Sequence, residues 1–346
     1  MLRILLDLGH PVDYYFFRNV IKKLRERGDE ILIVVRNREG VVTELLQNDG
    51  ERYILLGENV RGMLNKAVYM VRNDVKLLKI ALEFKPDMFL SLGSIYSGHV
   101  SFLIGKPHLT FHDTEISWIV QLLLMPPFTK IVMIPDSVQL RFSFRNYIRV
   151  NAGKELAYLS PAYFQLDPIV LNEFGLKPGE KYVILRFSAH DSSHDIGLKG
   201  LSNESKRRLV SELMKFAKVF ISSEVGLDEE LSRHRIRIKR MHDFLGFSSL
   251  FIGEGPTMVS EAAFLGVPSI FLHKRTFGCI ENRKMHGMVF QYDNPDDEIE
   301  QIINHAKQIL TDPGAKERFL KLRDEMVATK EDIVLRIIHE IDSLRL

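Results

Sequence analysis

Leu250-Phe251-Ile252-Gly253-Glu254-Gly255-Pro256-Thr257-Met258-Val259-Ser260-Glu261-Ala262-Ala263-Phe264-Leu265-Gly266-Val267-Pro268 joins an apolar run, a glycine-rich turn and a helical pattern in one segment. Its first three residues form an apolar run that reads as a short buried strand. The run breaks at Gly253 and Gly255, then resumes with helical spacing at Met258, Ala262 and Leu265. Pro256 suits a first helical position, where a missing N–H costs nothing, and Gly266 and Pro268 suit the residues just past the end. A strand therefore turns through a glycine loop into a short helix. The start of such a helix offers unbonded backbone N–H groups and the positive end of the dipole, and both attract phosphate. Thr257 and Glu261 are four apart and share a helix face. A hydroxyl there can meet a phosphate, and a carboxylate one turn deeper can accept hydrogen bonds from ribose. The plainer reading is an ordinary strand–loop–helix corner of a parallel sheet, with Glu261 exposed beside the helix dipole.

On both sides of this corner, strand-like runs alternate with helical patterns. In the first half, strands are expected at 3–6, 31–35, 53–56, 88–92, 108–111 and 131–134, with helices following His10-Pro11 and at 41–48, 64–84 and 96–103. A second series has strands at 182–187, 219–222, 235–239, 250–252 and 269–272. Its helices are expected at 202–216, 297–310 and 315–344, the last broken near Thr329. Between the two series, Pro161 and Pro168 mark a linker. The expectation is two parallel-sheet α/β domains, residues 1–165 and 166–346. In such sheets ligands lie beyond the C-terminal strand ends, where His10, Ser94, His112, Asp113 and Glu115 fall.

A chain of 346 residues is long enough for two separate cores. A net charge of +2 gives no field that would announce a nucleic acid as partner. The lone cysteine, Cys279, excludes an internal disulfide and fits a reducing cytoplasm, and residues 1–8 lack the layout of a signal peptide. The apolar run 116–127 is too short to span a membrane, which takes about 20 residues. It reads as a buried helix, or as a surface for a membrane or lipid-linked substrate near Lys130, Arg141, Arg145 and Arg149.

Three polar constellations remain. Gly9-His10-Pro11 sets an imidazole at the mouth of the first strand, as a turn residue or as a general base for an acceptor hydroxyl. His112-Asp113-Thr114-Glu115 puts two carboxylates at one strand end, able to act as acid or base or to cap a helix. His190-Asp191-Ser192-Ser193-His194-Asp195 would bind a metal if helical, but its serines and Gly197 argue for a loop, so no metal site is expected. Arg186, Ser188 and His190 then read as anion contacts. Neither a Gly-x-Ser-x-Gly elbow nor a phosphate-binding Gly-Lys-Ser/Thr loop occurs.

Asp7-Leu8-Gly9-His10-Pro11, Lys85-Pro86-Asp87 with Ser91-Leu92-Gly93-Ser94, and Gly255-Pro256-Thr257-Met258 with Glu261-Ala262-Ala263 together resemble the GT-B superfamily. Within it the chain is most similar to the prokaryotic domain-of-unknown-function family 354. The resemblance implies two Rossmann-like domains facing a cleft, with the last helix crossing back to the first. It implies a nucleotide diphosphate sugar on the second domain as substrate and no cofactor. Glu261 would hold ribose, Gly255, Pro256 and Thr257 would lie along the diphosphate, and residues 219–240 would border the base. Gly9 and His10 match a glycine–histidine loop of the peptidoglycan N-acetylglucosaminyltransferase. Asp113, Glu115 and His190 fall near acidic and histidine positions of the UDP-N-acetylglucosamine 2-epimerases. Glu254 stands where relatives often carry serine, and its spacing from Glu261 departs from the glutamate pair of retaining transferases. The expectation is a metal-independent inverting glycosyltransferase using a UDP-sugar and a glycan or lipid-linked acceptor. An epimerase and a silent sugar-nucleotide-binding module are the alternatives.

Overall fold

The computed structural model describes the chain except residues 38–39, 59–62, 114, 116–122, 141, 143, 189–199, 237–239 and 346, and the side chains at 37, 58 and 63–67. It divides into two compact units, Met1–Tyr158 together with Glu331–Leu346, and Leu159–Lys330.

The first unit is built on a seven-stranded parallel sheet. Its elements run β1 (Arg3–Leu8), α1 (Pro11–Glu26), β2 (Glu30–Asn37), α2 (Val41–Asn48), β3 (Tyr53–Glu58), α3 (Met63–Phe84), β4 (Met88–Leu92), α4 (Ile95–Leu103), β5 (His108–Phe111), β6 (Ile131–Pro135) and β7 (Tyr147–Val150). The strand order is β3-β2-β1-β4-β5-β6-β7, with Leu5 level with Leu32 on one side and Phe89 on the other. Strands buried on both faces read as continuous apolar runs. Ile4, Leu5 and Leu6, each no more than 1% exposed, are such a run. The chain reverses its direction of travel across the sheet between β1 and β4, so a crevice opens where the Gly9 and Gly93 loops leave those strands.

The second unit begins near a short helix, α5 (Leu156–Leu159), and continues through α6 (Ile169–Glu173). Its five strands are β8 (Tyr182–Phe187), β9 (Lys218–Ser223), β10 (Leu250–Gly253), β11 (Ser269–Leu272) and β12 (Val289–Tyr292). They are parallel in the order β12-β11-β10-β8-β9. Helices α7 (Asn203–Leu213), α8 (Glu229–Ser232), α9 (Met241–Phe247), α10 (Pro256–Phe264), α11 (Gly278–Met285), α12 (Ile299–Thr311) and α13 (Ala315–Ala328) complete it. Here the reversal lies between β8 and β10, which makes the stretch 186–188 and the Gly253–Gly255 loop the edges of the second crevice. Helix α14 (Ile333–Ser343) then packs on α1 of the first unit through buried Ile333, Val334, Ile337 and Ile341.

The helix break near Thr329 is present, between α13 and α14. The strand expected at 235–239 is reduced to one bridge, Ile221 to Arg235, and residues 237–239 lie outside the described set. Strands β7 and β12 and helix α11 were not anticipated; both strands are short sheet edges.

Candidate functional site

In the second unit, Gly255 is the N-cap of α10 and Pro256 its first residue. Among the described residues no side chain caps this helix, so its first amides and dipole face the crevice. Gly255 is tightly placed, because a Cβ there would lie 3.2 Å from Ser188 Oγ. Pro256 and Thr257 are half-buried on the rim. Glu261 sits one turn deeper and is 5% exposed, with His242 Nε2 3.4 Å from its Oε1. The His242 ring meets Phe164 edge-on.

Glu254 resolves the question raised by its position. It is buried, and its two oxygens accept the backbone N–H groups of Ser188 and Leu201, each at 2.8 Å. The carboxylate is therefore turned back into the loop and its charge is compensated by amides. Arg186, on β8, is tied across to β9 and the residue that follows it, its Nη1 donating to Ser222 Oγ at 2.6 Å and its Nη2 pairing with Glu224. His190 and the rest of the cluster 190–195 lie outside the described residues. Among the described residues no three His, Cys, Asp or Glu side chains converge to hold a metal.

In the first unit, a buried polar hub lies under the Gly9–His10 loop. Asp7 is fully enclosed at the end of β1. Its Oδ1 accepts from Arg36 Nε at 3.0 Å, and its Oδ2 accepts from Ser97 Oγ at 3.0 Å and from Ser94 Oγ. Ser94 is thus the N-cap of α4 and a support for Asp7, with 1% exposure. Arg36 leaves β2 where the pairing with β3 slips by one residue, and a bulge of this kind re-aims a side chain. The guanidinium lies over Tyr96, 4.9 Å from the ring centroid. It fills the space beside Gly9, where a Cβ would come within 2.6 Å of Arg36 Nη2.

Asp13 fastens the loop. Its Oδ2 accepts the Gly9 N–H at 2.7 Å and the His10 N–H at 3.0 Å, forming a capping box with His10 as N-cap. Burial pushes its carboxyl up to about 7, only partly countered by the Gly9 amide and Arg36. The His10 side chain is exposed and its Nδ1 takes a long contact, 3.4 Å, from Val12 N–H. Asp113 behaves differently. Burial would raise its carboxyl, but the Lys154 ammonium at 2.7 Å outweighs this and holds it below the ordinary value. Glu115 is half-buried nearby in the chain, and Thr114 lies outside the described residues.

The structure thus groups Ser188, Gly255, Pro256, Thr257 and Glu261 in one unit and Gly9, His10 and Ser94 in the other. Asp13, Arg36, Lys154 and His242 were not anticipated, and Asp7 was read only as the first residue of the motif Asp7-Leu8-Gly9-His10-Pro11. Of the other four, only Asp13 left a legible signal, the spacing His10-x-x-Asp13 of a capping box.

A model of the family described as "protein of unknown function (DUF354)" matches residues 2–340. The uncharacterized protein MJ0665 of Methanocaldococcus jannaschii is 20% identical over 332 residues, covering 93% of this chain and 95% of that protein. Among solved structures, the spinosyn forosaminyltransferase SpnP is similar with a TM-score of 0.67 and 16% identity, covering 99% of each chain. The UDP-GlcNAc 2-epimerase from Neisseria meningitidis, bound to UDP-GlcNAc, is similar with a TM-score of 0.66 and 14% identity, covering 98% of this chain and 99% of that one. The fold is therefore that of the GT-B proteins, with two parallel-sheet α/β domains.

Proposed function

The chain belongs to the DUF354 family of proteins of unknown function, and for it we propose a glycosyltransferase that moves sugar from a nucleotide diphosphate sugar to a hydroxyl acceptor. The donor in this reading is a UDP-sugar and the acceptor a glycan or a lipid-linked sugar. The diphosphate rests on the first amides of α10, past Gly255, Pro256 and Thr257, and Glu261 accepts from the ribose hydroxyls. Glu254 presents no obstacle to a diphosphate, since both its oxygens are engaged by the backbone.

His10 takes the acceptor proton as the acceptor oxygen attacks the anomeric carbon. The bond from that carbon to the diphosphate oxygen breaks, and the pair of electrons leaves with the nucleoside diphosphate. A single displacement of this kind inverts the anomeric centre. The helix start stabilises the departing charge, and the scheme calls for no divalent ion.

One observation carries transfer over epimerisation. The exposed imidazole of His10 stands on a loop whose two amides are locked by Asp13, whereas Asp113 is held ionised by Lys154. A base that removes a C2 proton needs a raised pKa, and Asp113 is shifted the other way. The reading is tested with UDP-N-acetylglucosamine in D₂O without acceptor, followed by NMR at C2. No exchange is expected, with UDP released rapidly only once an acceptor hydroxyl is supplied. Deuterium at C2, or accumulation of UDP-N-acetylmannosamine, would establish the epimerase instead. Binding without turnover on any acceptor would leave the silent module.

A further inference from the structure

Helices α3 and α4 lie side by side on one face of the seven-stranded sheet. Leu77 and Ala81 of α3 and Tyr96 and Val100 of α4 share a core with Leu5, Val34 and Phe89, and His99 Nδ1 of α4 meets Asp74 Oδ2 of α3 at 3.0 Å. A helix with one face buried in this way carries polar residues on the other. Here the outer side carries an apolar stripe between its charged residues. Val68, Val71, Val75 and Leu82 are 47–70% exposed and follow one another by three, four and seven residues, so they form a single stripe along α3. The stripe has a neighbour in Phe102 and Leu103 at the end of α4, each more than 60% exposed. Phe102 packs edge-on against Phe128, and Phe128 against His99, which extends the apolar surface across the turn Pro126–Phe128.

The charges around this surface are mostly of one sign. Arg72 and Lys79 flank the stripe on α3, while Lys106 and Lys130 flank the end of α4, and all four are exposed. Among the described residues none of the four carries an ion pair, whereas Asp74 is engaged by His99 and Glu83 is the remaining exposed acid on α3. A second copy of this chain is a poor occupant. Two antiparallel α3 stripes would bring Arg72 and Lys79 of both copies to the same seam, where like charges repel.

We propose that this face docks on an anionic lipid surface, with the valine and leucine stripe and Phe102 entering the acyl boundary and the four basic side chains meeting the headgroups. The claim stands apart from the sugar chemistry, because it uses none of the residues of either crevice.

The test is flotation of the full chain with vesicles of phosphatidylcholine alone and of phosphatidylcholine with phosphatidylglycerol. Partition into the anionic vesicles is expected, falling with added salt, with much weaker partition into the neutral ones. Arg72→Gln with Lys79→Gln should lower partition about twenty-fivefold, roughly fivefold for each side chain. Leu82→Asn with Phe102→Asn should lower it further still while the variant keeps a single cooperative thermal transition, since both residues are more than half exposed. Equal flotation of the variants and the wild type, or none with anionic vesicles, would overturn the proposal. So would a micromolar dimer in sedimentation velocity that Leu82→Asn with Phe102→Asn converts to monomer, since that face would then belong to a second copy.

Discussion

Replacing Glu254 tests whether the carboxylate is an internal clamp of the glycine loop or a group that acts on substrate. Its two oxygens hold the amides of Ser188 and Leu201 at 2.8 Å from a site only 2% exposed. One side chain in the loop before α10 therefore ties down two backbone positions that are distant from it in the chain, Ser188 after β8 and Leu201 before α7. Each charge-assisted bond of this type contributes about 1.5–3 kcal/mol, and Glu254→Ala leaves both donors without an acceptor, a loss of roughly 3–6 kcal/mol. Glu254→Gln keeps one acceptor oxygen and turns an N–H towards the other amide, so about half that loss is expected. For a unit of this size the Ala variant should melt roughly 6–24 °C lower. Calorimetry should show the drop in one transition, leaving that of the first unit in place. Hydrogen exchange should show the Ser188 and Leu201 amides exposed in the same variant. If both variants melt within about 2 °C of wild type, the clamp is wrong. If they keep that stability and lose turnover, Glu254 works on substrate.

Three further outcomes follow from the two crevices. Glu261→Ala should weaken UDP binding by roughly ten- to a hundredfold in calorimetric titration, from lost charge-assisted bonds to ribose; unchanged affinity in a folded variant would remove Glu261 from the site. His10→Ala should abolish transfer while leaving UDP affinity intact, so a parallel loss of both would show that His10 is structural. Asp13→Asn bears on pH. With its folded carboxyl raised to about 7 from an ordinary 3.8 by burial, Asp13 keeps in the folded state a proton that the unfolded chain releases. Its contribution to stability is complete below the ordinary value and is lost as pH rises through about 7. The wild type should therefore lose on the order of 4 kcal/mol at most, relative to the Asn variant, between pH 4 and pH 8, read from urea melts. Parallel pH profiles for the two proteins would refute it.

The strand–helix alternation was legible because each central strand is buried on both faces and so is written as an unbroken apolar run, as in Phe251-Ile252 or Phe89-Leu90. Edge strands escape that rule. Tyr147-Ile148-Arg149-Val150 pairs on one side only, and its half-exposed residues leave it too short and mixed to stand out. Helix α11 is polar for most of its length, so no apolar period marks it. The glycine loop and its helix could be read because Gly and Pro have backbone preferences that neighbours do not override. The direction of a carboxylate could not. The chain puts Glu254 in the loop and Glu261 on the helix without saying where either points, yet one faces inward to two amides and the other sits beside His242. Nor could the partner of Asp113 be read, since Lys154, distant in sequence, comes within 2.7 Å of it only in the fold. Arg36 and Asp7 were invisible as a pair, since their meeting depends on β1 and β2 lying side by side in register.

The grouping of Glu331–Leu346 with Met1–Tyr158 has a consequence for how the protein is made. A ribosome adding roughly 5–20 residues per second delivers α14 some ten to thirty seconds after the rest of the first unit. Through that interval α1 lacks the cover of Ile333, Val334, Ile337 and Ile341, and the salt bridges from Arg27 to Asp342 and from Arg345 to Asp29 cannot form. The unit synthesised first is thus the one completed last. During translation, its exposed α1 surface is where a chaperone would be expected to bind.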